Sequence, residues 1–130
     1  MLTGGGAPTR LVLVDDDELF LEALAAMLDA DGRFEIVGLA LNGVEAVELA
    51  TSRSPDVVLM DIDMPVMDGV EATRQIREQQ PAMRVLLVSG SAFADRVGEA
   101  LAVGALGYVS KSRAGTDLVD NILAIASLGR

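Results

Sequence analysis

The chain has 130 residues, with 10 Lys and Arg against 20 Asp and Glu, a formal net charge of −10 and 51% hydrophobic residues. It has no Cys and no His, which excludes disulfide frameworks, thiolate zinc sites, cysteine nucleophiles, Ser-His triads, histidine metal ligands and a phosphohistidine carried by this chain. One domain with one real core fits the length, and the acidic balance speaks against direct nucleic-acid binding, which needs a basic patch. No apolar run approaches the ~20 residues that span a bilayer. The Gly-rich start, Met1 to Pro8, lacks the basic and apolar regions of a signal peptide, so a cytoplasmic location and no membrane partner are expected.

Short apolar runs alternate with helical stretches. Residues 1–9 read as a flexible tail. Leu11 to Val14 is a continuous apolar run that suits a strand buried on both faces, and it ends in Asp15-Asp16-Asp17. From Glu18 to Ala30 the apolar residues Phe20, Leu24, Met27 and Leu28 share one helical face, and Asp31-Gly32 ends the helix. Phe34 to Leu39 is the second strand. Asn42, followed by Glu45, marks the start of a helix over Gly43–Ser52 whose inner face would hold Val44, Val47 and Ala50 or Leu49.

Val57 to Met60 is the third strand and ends at Asp61. Ile62 to Asp68 holds Pro65 and reads as a loop; Asp68 caps a helix over Gly69–Gln79, which Pro81 ends. Val85 to Val88 is the fourth strand, followed by Ser89-Gly90-Ser91. Asp95 to Val103 is a helix with Val97, Ala100 and Leu101 inward. A short fifth strand, Tyr108 to Ser110, leads directly into Lys111. Asp117 to Ser127 is the last helix, with Leu118, Ile122 and Ile125 on one stripe. Five strand–helix repeats imply a doubly wound α/β fold: a five-stranded parallel sheet, five helices on its two faces, and right-handed crossovers.

The polar residues at the strand ends carry the functional argument. The first strand ends in Asp15-Asp16, the third in Asp61, the fourth in Ser89 and the fifth in Lys111. In open parallel sheets the ligand crevice lies beyond the carboxyl ends of the strands. Carboxylates, a hydroxyl and a lysine gathered there read as a magnesium and phosphoryl site. Singly, each residue has a structural reading: Asp17 and Asp68 as helix caps, Asp63 as a turn former, Ser89 as a loop hydroxyl, Lys111 as a solvated charge. Together, clustered carboxylates cost stability unless a cation compensates them. Two other motifs fail. Gly4-Gly5-Gly6 precedes the first strand, so it is no phosphate loop, and Asp61 to Asp68 lacks the Gly and the final acid of a calcium loop.

The stretches LVLVDDDELF, VVLMDIDMPVMDG, VLLVSGSA and GYVSKS, in that order, resemble the receiver domains of two-component response regulators. The resemblance covers Arg10 to Gly129 and implies a flavodoxin-like strand order, 2-1-3-4-5, for a receiver over residues 10–130. It implies that Asp61 is the phosphoacceptor. Asp16 would ligate Mg2+ (or Mn2+) directly, Asp15 through water, and the Asp63 backbone carbonyl would complete the protein ligands beside Asp61. Ser89 stands at the switch hydroxyl, Lys111 at the phosphate-facing lysine and Tyr108 at the switch aromatic.

ELFLEAL, ALNGVEAVELA, ALAVGALGYVSKS and LVDNILAIASLG look like the NarL/FixJ-type subfamily. Its members pair with a sensor histidine kinase and usually bind DNA through a C-terminal helix-turn-helix domain, which is not expected within this chain. The sequence leaves open whether the chain is excised or stand-alone, and whether it forms a homodimer on phosphorylation. Many receivers carry a cis proline after the lysine; Ser112 stands there, and a cis bond before a non-proline residue costs about 2.5–4 kcal/mol, so the sequence leaves that peptide open.

The resemblance implies a signalling domain rather than a turnover enzyme. The phosphoryl would pass from a partner's phosphohistidine to Asp61, Ser89 would be drawn toward it, and Tyr108 would turn inward to change the face made by the fourth helix, fifth strand and fifth helix. Two alternatives differ in class. A dehalogenase-type phosphatase would use Asp61-Ile62-Asp63 as its D-x-D pair, but that pair follows the first strand there and the third here. An interaction module that keeps only the fold would have no need of the acidic pair, acceptor and lysine.

Overall fold

The computed structural model describes residues 6–90 and 94–128. The first five residues of the expected tail, Ser91 and Ala92 of the VLLVSGSA stretch, and Gly129 lie outside the described residues. In chain order the elements are β1 (Thr9–Val14), α1 (Glu18–Asp31), β2 (Phe34–Ala40), α2 (Gly43–Arg53), β3 (Val57–Met60), α3 (Gly69–Gln79), β4 (Arg84–Ser89), α4 (Ala94–Ala102), β5 (Gly107–Ser110), a single 3₁₀ turn (Lys111–Arg113) and α5 (Ala114–Ala126). All four strand pairings are parallel and the order is β2-β1-β3-β4-β5. This is the doubly wound, flavodoxin-like fold expected. None of these helices is long and apolar enough to cross a membrane.

The sheet sorts its residues by parity. Leu11, Leu13, Val57, Leu59, Leu86, Val88 and Val109 pack with Leu21, Leu24 and Leu28 of α1 and Leu118, Ile122 and Ile125 of α5. Val12, Val14, Val58, Met60, Val85 and Leu87 pack on the other face with Ala46 and Ala50 of α2, Ala72 and Ile76 of α3 and Ala100 of α4. Strands buried on both faces therefore read as unbroken apolar runs, because successive side chains alternate between two cores. Continuing the first series by two residues reaches Asp15, Asp61 and Lys111, so the alternation that fills one core also aims these groups past its rim.

Side-chain caps set the helix starts. Asp17 Oδ1 accepts from Leu19 N and Phe20 N, Asn42 Oδ1 from Glu45 N, and Asp68 Oδ1 from Glu71 N. Glu45 accepts in turn from Leu41 N, the residue before the cap, at 3.0 Å. Glu71 does not; it pairs with Arg74 and Gln75 instead.

Several boundaries and faces differ from the sequence reading. β1 begins at Thr9, whose N–H donates to Arg33 O, so the strand takes in the last residue of the expected tail. α5 begins three residues early, at Ala114, because the 3₁₀ turn runs straight into it; Asp117 is no cap but pairs with Arg113 one turn back. On α2 the buried residues are Gly43, Ala46 and Ala50, whereas Val44 is exposed and Val47 only half-buried. The cause is close packing: a Cβ on Gly43 would lie 2.6 Å from Met67 O, so only a small-residue face fits against the β3–α3 loop. On α4 Ala100 is buried, Val97 half-buried and Leu101 exposed.

The loop from Asp61 to Asp68 is held shut at its base. Gly69 N–H donates to Ile62 O at 2.7 Å, and a Cβ on Gly69 would stand 2.0 Å from Asp61 O. The Asp61 backbone cannot keep this position beside any larger residue. Gly69→Ala is expected to destabilise the protein by about 3 kcal/mol in urea unfolding, the upper range for overpacking. A loss under about 1 kcal/mol would show that the loop yields.

Candidate functional site

The carboxyl ends of β1, β3, β4 and β5 surround a cleft of about 350 Å³ lined by Asp16, Asp17, Asp61, Asp63, Ser89, Gly90 and Lys111. Asp15 lies beneath it. Asp15, Asp61 and Ser89 are 1%, 5% and 1% exposed, so two carboxylates and a hydroxyl are withdrawn from bulk water. Asp16, exposed, joins them from above: one carboxylate oxygen from each of Asp15, Asp16 and Asp61 lies within 4.8 Å of the others.

Backbone geometry anchors each group. Asp15 N–H donates to Ala40 O and Asp61 N–H to Val14 O, which carries the sheet's bonding past the last paired residues. Asp15 Oδ1 accepts from Asp17 N at 2.9 Å, and Asp61 Oδ1 accepts from its neighbour Ile62 N at 2.8 Å. The Ser89 hydroxyl donates to the Asp61 carboxylate. Lys111 Nζ lies 2.7 Å from Asp15 Oδ2 and 3.5 Å from Asp61 Oδ2. Asp15 Oδ2 has no aligned hydrogen bond, so its contact with Lys111 is an ion pair.

The electrostatics follow from that crowding. Burial, then the Asp15 charge, pushes the Asp61 carboxyl up from 3.8 to about 6; Lys111, Ser89 and Ile62 N–H only partly offset this. Burial works against the Lys111 ammonium, but the Asp15 contact and the Asp61 charge outweigh it and hold the group above the ordinary lysine value. Three carboxylates and one ammonium leave two formal negative charges. The donor set is hard carboxylate oxygen with an unaligned buried oxygen at its base, which fits Mg2+ or Mn2+.

The other sequence-predicted residues sit at the rim. The Asp63 side chain is exposed and lies 3.9 Å from Arg96, turned toward α4. Tyr108 lies at the sheet edge, exposed, with its hydroxyl 3.4 Å from Ser89 O. The Lys111–Ser112 peptide is trans, since the described residues contain no cis bond.

Three contributors escaped the sequence reading. Phe20 was assigned to the helix core, but its ring lies under Lys111, 4.6 Å from Nζ to centroid. Arg96 donates to Asp68 Oδ2 at 2.7 Å and so ties α4 to the loop that follows Asp61; no spacing rule links them. Val66, 83% exposed, has φ +71 with Met67 N–H donating to Pro65 O, a tight three-residue turn that a β-branched residue rarely adopts. Nothing in the structure explains valine there.

A five-stranded parallel sheet in this order, with an acidic cluster, a hydroxyl and a lysine at its carboxyl edge, defines a receiver-type domain. Residues 11–123 match the response regulator receiver domain family, and the chain belongs to it. Among curated proteins it is 38% identical over 115 residues to the transcriptional regulatory protein LiaR of Bacillus subtilis, covering 88% of this chain and 54% of that one. It is 37% identical over 120 residues to the transcriptional regulatory protein DegU of Brevibacillus brevis, covering 92% and 51%. The chain thus spans about half the length of these relatives. Among solved structures, the signal receiver domain of the response regulator NarL from Mycobacterium tuberculosis superposes with a TM-score of 0.89 at 36% identity, over 96% of this chain and 100% of that one. The CheY of Borrelia burgdorferi, solved in complex with CheX, BeF3 and Mg, superposes with a TM-score of 0.85 at 26% identity, over 92% and 90%.

The raised Asp61 carboxyl has a consequence for stability without metal. The folded state holds this proton more tightly than the unfolded chain, so stability is lost as pH rises from about 4 through about 6. Asp61→Asn removes the charge. In EDTA above pH 6 it should be more stable than wild type by about 1–2 kcal/mol, the displacement being discounted for solvent at the cleft mouth. The gap should close below about pH 4. Equal pH profiles for the two proteins in denaturant unfolding would contradict the burial and crowding argument.

Proposed function

We propose that this receiver domain, over residues 10–130, accepts a phosphoryl group on Asp61 from a phosphohistidine of a sensor histidine kinase. The observation that carries the reading is the pairing of a buried carboxylate, Asp61, with Lys111 at 3.5 Å and a donating Ser89 hydroxyl, at the mouth of one cleft. Asp61 supplies the nucleophilic oxygen: an O–P bond forms as the N–P bond breaks, and the histidine nitrogen leaves with the electron pair. Lys111 and Ser89 are preorganised beside the oxygens that gain charge, which is where stabilisation is most effective. Asp15, Asp16, Asp61 and the Asp63 carbonyl would hold Mg2+ or Mn2+, which when bound neutralises the acid cluster and the incoming phosphoryl.

The switch follows from the same contacts. Ser89 leaves Asp61 for the phosphoryl, and Tyr108, whose hydroxyl donates to the Ser89 backbone carbonyl at 3.4 Å, turns inward against α4. The relatives above are named as transcriptional regulators, and the proposed output is control of transcription through a DNA-binding helix-turn-helix domain. The work is done in the cytoplasm, where the kinase presents its phosphohistidine.

With acetyl phosphate and Mg2+, intact-mass spectrometry should show one added phosphoryl on wild type and none on Asp61→Asn. Lys111→Ala should slow the gain roughly a hundredfold, as loss of a preorganised charge does. An Asp61→Asn protein that still gains the mass would overturn the assignment.

A further inference from the structure

Lys111 is pulled in two directions. Its Nζ contacts Asp15 Oδ2 at 2.7 Å and Asp61 Oδ2 at 3.5 Å, and both carboxylates belong to the cluster that would hold a divalent cation. A cation there competes for those oxygens and repels the ammonium. One partner stands outside that competition. The Phe20 ring centroid lies 4.6 Å from Nζ, and its negative face attracts an ammonium without being a metal ligand.

The ring is fixed by the turn that builds the acid site. Phe20 N–H donates to Asp17 Oδ1 at 3.2 Å, and Asp17 N–H donates to Asp15 Oδ1 at 2.9 Å. The rest of the ring packs against the α1/α5 core. A Cβ at Gly90 would meet Lys111 Cδ at 3.6 Å, so the β4 end also borders the lysine stem.

We propose that Phe20 is a positioning residue that keeps the Lys111 ammonium within reach of Asp61 when the carboxylates turn to a cation. The proposal rests on the reading of Asp61 as phosphoacceptor, and it adds a specific requirement at position 20: an aromatic face, not merely apolar bulk.

Phe20→Leu keeps an apolar side chain and loses the face; Phe20→Tyr keeps the face. The first readout needs neither metal nor phosphoryl. In metal-free protein the ε-CH2 protons of Lys111 should be shifted upfield by the ring in wild type and Phe20→Tyr, and return to the ordinary lysine position in Phe20→Leu. The second is phosphorylation by acetyl phosphate with Mg2+, which should fall about fivefold in Phe20→Leu, the size of effect one such contact gives, and stay near wild type in Phe20→Tyr. A folded Phe20→Leu protein with wild-type rate, or a Phe20→Tyr protein impaired as much as Phe20→Leu, overturns the proposal. If wild type takes no phosphoryl, the acceptor reading fails, and an unshifted Lys111 resonance in wild type separately refutes the Phe20 contact.

Discussion

The structure is organised around a repulsion. Three aspartates from two strand ends bring carboxylate oxygens within 4.8 Å of one another, two of the three are almost wholly buried, and a single ammonium faces them. Left alone, such a cluster works against folding, because burial and like charge both penalise the ionised forms. It is set on closely packed, buried strands. The strands that end there are covered on both faces, and their last residues are tied laterally, Asp15 to Ala40 and Asp61 to Val14. The cost of the cluster is thus set against a two-faced hydrophobic core.

The surrounding loops serve the same constraint. Gly69 stands so close to Asp61 that no side chain fits, and Gly43 does the same against Met67. Arg96 reaches from α4 to Asp68, the cap of α3, and comes within 3.9 Å of Asp63. The loop after Asp61 is therefore connected to α4 by charge and to α2 by close packing. Polar contacts thus run from the loop after Asp61 to α4 through Arg96, and from Asp61 to the sheet edge through Ser89 and Tyr108.

Much of this was legible in the sequence, for stated reasons. Apolar runs ending in Asp, Ser or Lys placed the site because parallel strands all point their carboxyl ends the same way. Asp17, Asn42 and Asp68 announced helix starts because their side chains can take up free N–H groups. What escaped depends on packing at a distance. Hydropathy turned Val44 and Leu101 inward, yet α2 and α4 bury their small residues, since closeness rather than greasiness decides those contacts. Phe20 read as core because a helical stripe cannot reveal that a lysine 91 positions later lies over its ring. The reach of Arg96 to Asp68 had no sequence signal, because that partner is the cap of another helix.

An acid cluster crowded by like charge is the kind of site that a divalent cation would relieve. Thermal unfolding at pH 7.5, with and without millimolar Mg2+, tests it most directly, because a ligand that binds only the folded state raises its melting temperature. A clear rise is expected for wild type and little or none for Asp15→Asn or Asp16→Asn. A wild-type melting temperature indifferent to Mg2+, or a rise that survives both substitutions undiminished, would contradict it.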